Sequence, residues 1–199
     1  MKTKIKLPFA LLLMFSLVFY NGIAQNADKW KLDKDHTSVN FEVKHLFNTV
    51  NGNFTNFDGT FYFDPNKLEE SKFTFTIPIS SIETNSEKRN NHLKSPDFFN
   101  AEKYPEMKFV STGFEKVSED KYLVKGKLKI KDVTKNVSIP FEITGKMDHP
   151  MMKGTTVMGL AFETEINRND FKVGAGDWTS TKIVGENVKV AINTELTKG

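Results

Sequence analysis

The sequence predicts an all-β domain of antiparallel strands, each with one dry and one wet face, interrupted by one short helix. Three observations carry this. Apolar residues recur at every second position in stretch after stretch, the signature of half-buried strands. The intervening positions are charged or polar, whereas a parallel sheet covered by helices would be apolar on both faces. Only one segment, near residue 87, carries the start signal of a helix.

In chain order, Val39, Phe41 and Val43 alternate with Asn40, Glu42 and Lys44. Phe57, Phe61 and Phe63 share a face opposite Thr60 and Tyr62, with Gly59 in the remaining slot. Phe73, Phe75, Ile77 and Ile79 oppose Lys72, Thr74, Thr76 and Pro78. Val124, Gly126, Leu128 and Ile130 oppose a row of four lysines from Lys125 to Lys131. Val137, Ile139, Phe141 and Ile143 oppose Ser138, Pro140, Glu142 and Thr144. Leu160, Phe162 and Ile166 oppose Glu163 and Glu165, and Val188, Val190 and Ile192 close the series against Lys189, Ala191 and Asn193. Asn51-Gly52, Asp58-Gly59 and Asp64-Pro65 read as hairpins or bulges between strands. Pro78 and Pro140 fall on the wet face and mark edges or bulges. Sheets that bury one face each must stack as a sandwich or close into a barrel, and the pattern does not choose.

The ends narrow the setting. Lys2, Lys4 and Lys6 precede an apolar run from Leu7 to Tyr20, and Gly22 and Ala24 place small residues at −3 and −1 of a cleavage site. Residues 1–24 therefore read as a secretory signal peptide and 25–199 as one domain, periplasmic or secreted, with no integral membrane span after processing. Three lysines leave with the signal, so the mature chain carries 25 basic and 25 acidic residues, and the formal charge of +3 belongs to the precursor. No basic stripe interleaved with aromatics remains, which excludes nucleic acid as an expected partner. The chain has no cysteine, hence no disulfide and no lipoprotein anchor. A homodimer is left open.

Some polar residues share parity with the dry rows. His45 continues the Val39, Phe41, Val43 series, and Thr164 and Arg168 continue that of Leu160, Phe162 and Ile166. An inward Arg168 must meet an anion, a carbonyl cluster or water, because an unpaired buried charge is prohibitive. Asp170 is the protein partner at hand; an anionic head group at a barrel mouth is the alternative. The histidines stand on separate elements with none of the close spacings zinc prefers, so no metal is expected. No cysteine nucleophile, Gly-x-Ser-x-Gly elbow or phosphate-cradling loop is present, which argues against an enzyme and a resident cofactor.

The segment from Ser80 to Pro105 breaks the alternation. Thr84 and Glu87 are spaced as a capping box, opening a helix that must end by Ser95 because Pro96 follows. Arg89 and His92 then share one helical face with Leu93 beside them. This island, with Ser81-Ile82, Thr84, Arg89, His92-Leu93, Phe98-Phe99 and Tyr104-Pro105, closely resembles the signature of the YceI-like family. The resemblance extends from Trp30, Asp33, His36 and Ser38 through Gly52 and Phe54 to Arg168, Asp170 and Phe171. It implies an eight-stranded, lipocalin-like antiparallel barrel with the helix inserted in mid-chain. It also implies a non-enzymatic carrier that shields an isoprenoid or other long-chain lipid, such as a quinone or isoprenoid phosphate. A barrel of about eight strands can fill itself with side chains or hold one small ligand. The many phenylalanines fit a solid, ligand-free interaction module as well; the cavity comes from the resemblance. On that reading Phe41, Phe61, Phe75, Phe141 and Phe162 form the wall. His45 and Arg168 contact the head group, and Arg89 and His92 support the helix beside the mouth. Asn90, Asp132 and Lys172 stand where the family usually has Asp, Gly and Gly.

Overall fold

The computed structural model describes residues 27–199; the expected signal peptide lies outside them. Ten strand segments follow in order. They are β1 (Lys29–His45), β2 (Asn48–Phe54), β3 (Asp58–Tyr62), β4 (Lys72–Pro78), β5 (Ile82–Glu83), β6 (Glu106–Lys116), β7 (Lys121–Ile130), β8 (Val133–Asp148), β9 (Thr156–Asn167) and β10 (Val184–Lys198). One helix, α1 (Glu87–Lys94), lies between β5 and β6. The strands run β10-β9-β8-β7-β6-β4-β3-β1, and β1 pairs back onto β10. β2 continues into β3 across a break at residues 55–57, and β4 into β5 across a 3-10 turn, so the ten segments make eight staves of a closed barrel. Every pairing is antiparallel. Among the described residues no helix is long and apolar enough to cross a membrane.

Two expected turns are strand interiors. Gly52 pairs with Phe41 inside β2, and a Cβ there would sit 2.4 Å from the Phe41 ring. Gly59 pairs with Phe75 inside β3, where a Cβ would meet the Phe61 ring at 2.4 Å. Both glycines make room for rings rather than bending the chain. The β1–β2 hairpin turns instead at Leu46-Phe47, closed by the His45–Asn48 pair. Asp64-Pro65 does open a turn, with Asp64 Oδ1 accepting from the Asn66 N–H at 2.9 Å.

The helix start also moves. Ser86 is the N-cap, its hydroxyl accepting from the Arg89 N–H at 3.4 Å, while Thr84 turns inward and donates to Asn90 Oδ1 at 2.6 Å. The capping-box spacing of Thr84 and Glu87 is therefore not used. α1 does end before Pro96, with Ser95 as C-cap.

The inner rows fall into two layers along the barrel axis. At the base, Trp30, Phe61, Phe63, Phe73, Tyr122, Val124, Phe141, Met158, Leu160 and Leu196 are all no more than 3% exposed. Their rings interlock edge to face, Phe73 on Phe114 at 4.8 Å and Phe63 on Tyr122 at 5.6 Å, and such pairs add about 0.5–1.5 kcal/mol each beyond burial. The Trp30 indole N–H reaches the Phe63 carbonyl at 3.0 Å, so the one polar atom of that ring is satisfied. Nearer the helix, Phe41, Phe75, Phe109, Leu128, Ile139, Phe162 and Ile166 also point inward yet are only half-buried. Inward side chains in that state mean space between them.

Candidate functional site

The space is a series of chambers. One of 150 Å³ has Phe61 and Phe73 at its floor and Phe41, Phe75, Leu128, Ile139, Phe162 and Ile166 in its wall. A second, of 130 Å³, lies towards α1 and adds Val43, Leu93, Phe98, Phe171, Val173 and Arg168. Phe41, Phe54, Met107, Ile130, Ile166 and Val190 border both, so the two are contiguous. A third, of 310 Å³, forms the vestibule, lined by Val50, Ser86, Lys88, Arg89, His92, Trp178 and Val184 with His45. No carboxylate lines it. An apolar cavity of about 150 Å³ stays dry and accepts a benzene-sized guest, so each inner chamber suits roughly one isoprene unit.

The polar residues are built in by their neighbours. His45 ends β1 beside the start of β10 and faces the vestibule. Arg89 donates from Nε to Thr84 Oγ1 at 2.9 Å and from Nη2 to the Thr84 carbonyl, tying α1 to the strand before it. The His92 ring stands edge-on to Phe98 and Trp178 at 5.0 and 4.8 Å, with Nε2 3.1 Å from Asp97 Oδ2. Trp178, from the loop between β9 and β10, thereby becomes part of the mouth.

Arg168 is 4% exposed and lies at the wall of the second chamber. Its Nε, Nη1 and Nη2 donate to the carbonyls of Gly185, Val173 and Val184, each at 2.8 Å. Of the partners the sequence allowed, the carbonyl cluster is the one in place. Asp170 is not its partner: that carboxylate pairs with Lys135 at 3.0 Å. Burial pushes the guanidinium pKa down, opposed by the field of Glu186. The contact leaves no room at Gly174, where a Cβ would lie 2.3 Å from Nη1 and φ is +100°.

Of the wall residues expected from sequence, Phe41, Phe75 and Phe162 line the first chamber and Phe61 floors it. Phe141 sits a layer below, stacked on Tyr122 at 5.3 Å and Phe162 at 5.1 Å, and lines none of the three chambers. His45, Arg89 and His92 meet at the vestibule, apart from Arg168. Met107 and Phe109 were missed, although they alternate with Glu106 and Lys108 on β6 by the same period-two signal. Lys88 and Trp178 carried no such signal. The positions that depart from the family pattern compensate locally. Lys172 takes the left-handed φ of +55° that suits glycine, and its Nζ lies 3.2 Å from Asp132, the other residue standing in a glycine position. Asn90 is buried, accepts from both the N–H and hydroxyl of Thr84, and hydrogen-bonds Glu83, holding that carboxyl below its ordinary pKa.

Away from the chambers, at the base, Asp33 accepts from the backbone N–H groups of Asp35 and His36 and sits 3.0 Å from His36 Nδ1. Glu195 lies 3.9 Å from the same nitrogen. The exposed cluster pins the irregular stretch of β1 between Asp33 and Ser38.

Comparison with known proteins agrees with this architecture. The chain is 38% identical over 161 residues to Protein YceI of Escherichia coli, covering 79% of this chain and 82% of that one. The solved Campylobacter jejuni YceI structure superposes with a TM-score of 0.70 at 35% identity, over 85% of this chain and 97% of that one. A polyisoprenoid binding domain from Saccharophagus degradans shares the fold, with a TM-score of 0.67 at 14% identity over 87% of this chain and the whole of that one. The family model for the YceI-like domain matches residues 30–196, nearly all of the described barrel, and the chain belongs to that family.

Proposed function

We propose that this protein is an exported carrier that binds a long apolar amphiphile, a polyisoprenoid, with its tail in the chambers and its head in the vestibule. The observation that carries the reading is the contiguous apolar space between a packed aromatic base and a vestibule lined by Lys88, Arg89 and two histidines. Each sequestered methylene contributes about 0.8 kcal/mol, so a tail is retained by burial alone and few polar contacts are needed. Lys88, Arg89 and the two histidines favour an isoprenoid phosphate over a quinone. Arg168 is taken up by three carbonyls, which leaves Lys88 and His45, both in the vestibule lining, as the groups to meet the head. The lining supports binding rather than turnover.

The test is organic extraction of protein taken from its native cell envelope, with mass spectrometry of the extract, alongside titration with farnesyl phosphate and farnesol. We expect a co-purifying isoprenoid and tighter binding of the phosphate, with Lys88→Gln weakening the phosphate about tenfold and leaving the alcohol unchanged. An empty extract with neither ligand bound would favour a ligand-free protein-interaction barrel.

A further inference from the structure

We infer that the mouth of the barrel docks on a lipid bilayer with anionic head groups, inserting the tip of the β1–β2 hairpin. This rests on the carrier reading above. Leu46 is 58% exposed, Phe47 105% and Ile183 36%. The Leu46 N–H donates to the Ile183 carbonyl at 2.9 Å, so the three form one apolar cap. The residues on either side of it, His45 and Val184, line the vestibule, which places the cap at the rim of the ligand's way in.

The turn itself argues against an accidental patch. The twist of a two-residue hairpin calls for positive φ at its first turn residue, where Gly or Asn is favoured. Here Leu46 holds φ +51°, a conformation that a leucine adopts only against its own Cβ and that Asn or Gly adopts freely. Two large apolar side chains therefore stand in a strained turn, with Phe47 in full contact with water. Strain of this kind points to a use outside the fold. Lys44 and Lys182, both exposed, stand next to the tip in sequence, and Lys88 and Arg89 line the vestibule behind it, whose lining includes no carboxylate. An apolar wedge flanked by exposed lysines fits the interface of an anionic bilayer. Val117, Met147, Met151 and Met152 are also exposed, but they belong to loops and strand ends at the base, remote from the chambers.

The experiment uses the mature protein and sucrose-loaded vesicles of phosphatidylcholine with a minor share of phosphatidylglycerol. Wild type should sediment with the vesicles. The double variant Leu46→Gly/Phe47→Asn puts glycine at the turn position with positive φ, so its melting temperature should hold or rise while its partition falls at least about tenfold. It should bind farnesyl phosphate from solution as wild type does, and Met151→Ser should sediment normally. The inference is overturned if the double variant partitions like wild type, if Met151→Ser is the one released, or if wild type binds farnesyl phosphate but never sediments. It is also overturned if ultracentrifugation shows a dimer that the double variant dissociates while vesicle binding persists, since a second copy then covers the tip. Sedimentation without farnesyl phosphate binding would sink the carrier reading and leave the docking surface standing.

Discussion

Replacing Phe141 and, separately, Phe75 by alanine tests whether the barrel is solid at one end and hollow at the other. Both residues share the inner parity of their strands, so sequence treats them alike. Phe141 is 3% exposed and packs on Phe63 at 5.7 Å, Tyr122 at 5.3 Å, Phe162 at 5.1 Å and Phe73 at 5.8 Å. Removing it opens a void among rings that are themselves fixed, and such Phe→Ala changes cost about 3–5 kcal/mol. Phe75 stacks on Phe57 at 5.8 Å and meets Phe61 at 6.2 Å, but its inner side already borders the first chamber. Its loss enlarges an existing space instead of creating one. Half of a full phenylalanine burial, about 1–1.5 kcal/mol, is then the expected penalty. For a chain of this size each kcal/mol moves the melting temperature by about 2–4 °C, so the drops should be roughly 6–20 °C for Phe141→Ala and 2–6 °C for Phe75→Ala. Urea unfolding followed by tryptophan fluorescence gives the free energies, and melts with saturating farnesyl phosphate give the second readout. Phe75→Ala should lose part of the ligand-induced rise that Phe141→Ala keeps. Equal destabilisation of the two variants, or a larger effect at Phe75, would refute the layered interior.

Arg168→Met removes the donor shared by the carbonyls of Val173, Val184 and Gly185; it should lower stability by about 3–5 kcal/mol and weaken farnesyl phosphate and farnesol alike, whereas selective loss of the phosphate in calorimetry would show direct head-group contact. The Asp33 carboxylate beside His36 raises the imidazole pKa by hydrogen bonding. Its stabilisation is therefore present below the unfolded value of about 6.5 and fades as pH rises through the folded one, and His36→Gln should flatten the difference in urea midpoint between about pH 5 and pH 8.5. In Asn90→Asp the amide that holds the Glu83 carboxyl pKa down becomes a like charge; Glu83 should titrate higher by NMR, with stability lost at neutral pH and regained near pH 4.

The inner rows were legible because period two is a local property, and even Arg168 was placed on the right face. Its partners were not, since three backbone carbonyls leave no mark in a sequence. The turns misled for a similar reason. Gly52 and Gly59 exist for the rings of Phe41 and Phe61, contacts set by packing, while the real turn is Leu46-Phe47, which no turn rule would select. Barrel closure joins β1 to β10, with Lys31 opposite Thr197, and no local signal reports a pairing that distant. The family resemblance supplied it. Whether a phenylalanine borders space or fills it depends on height along the barrel, which alternation does not encode.

What sets that height is visible in the ladder between β8 and β9. Their pairing begins only at Phe141 opposite Phe162 and runs towards the base. One step further would set Pro140, which has no N–H to donate, opposite Glu163. Beyond that fork β8 stays with β7 and β9 with β10, and near the mouth the turn Arg168–Phe171 and the Lys135–Asp170 ion pair bridge them. Towards the base the β8–β9 ladder holds these two staves together, and ring side chains such as Phe141 and Phe63 meet there. Near the mouth that seam is unzipped, and the inward side chains on its two sides, Ile139 and Ile166, line the first chamber. The hollow therefore follows from where the ladder stops, and the same phenylalanines make a core on one side of Pro140 and a lining on the other.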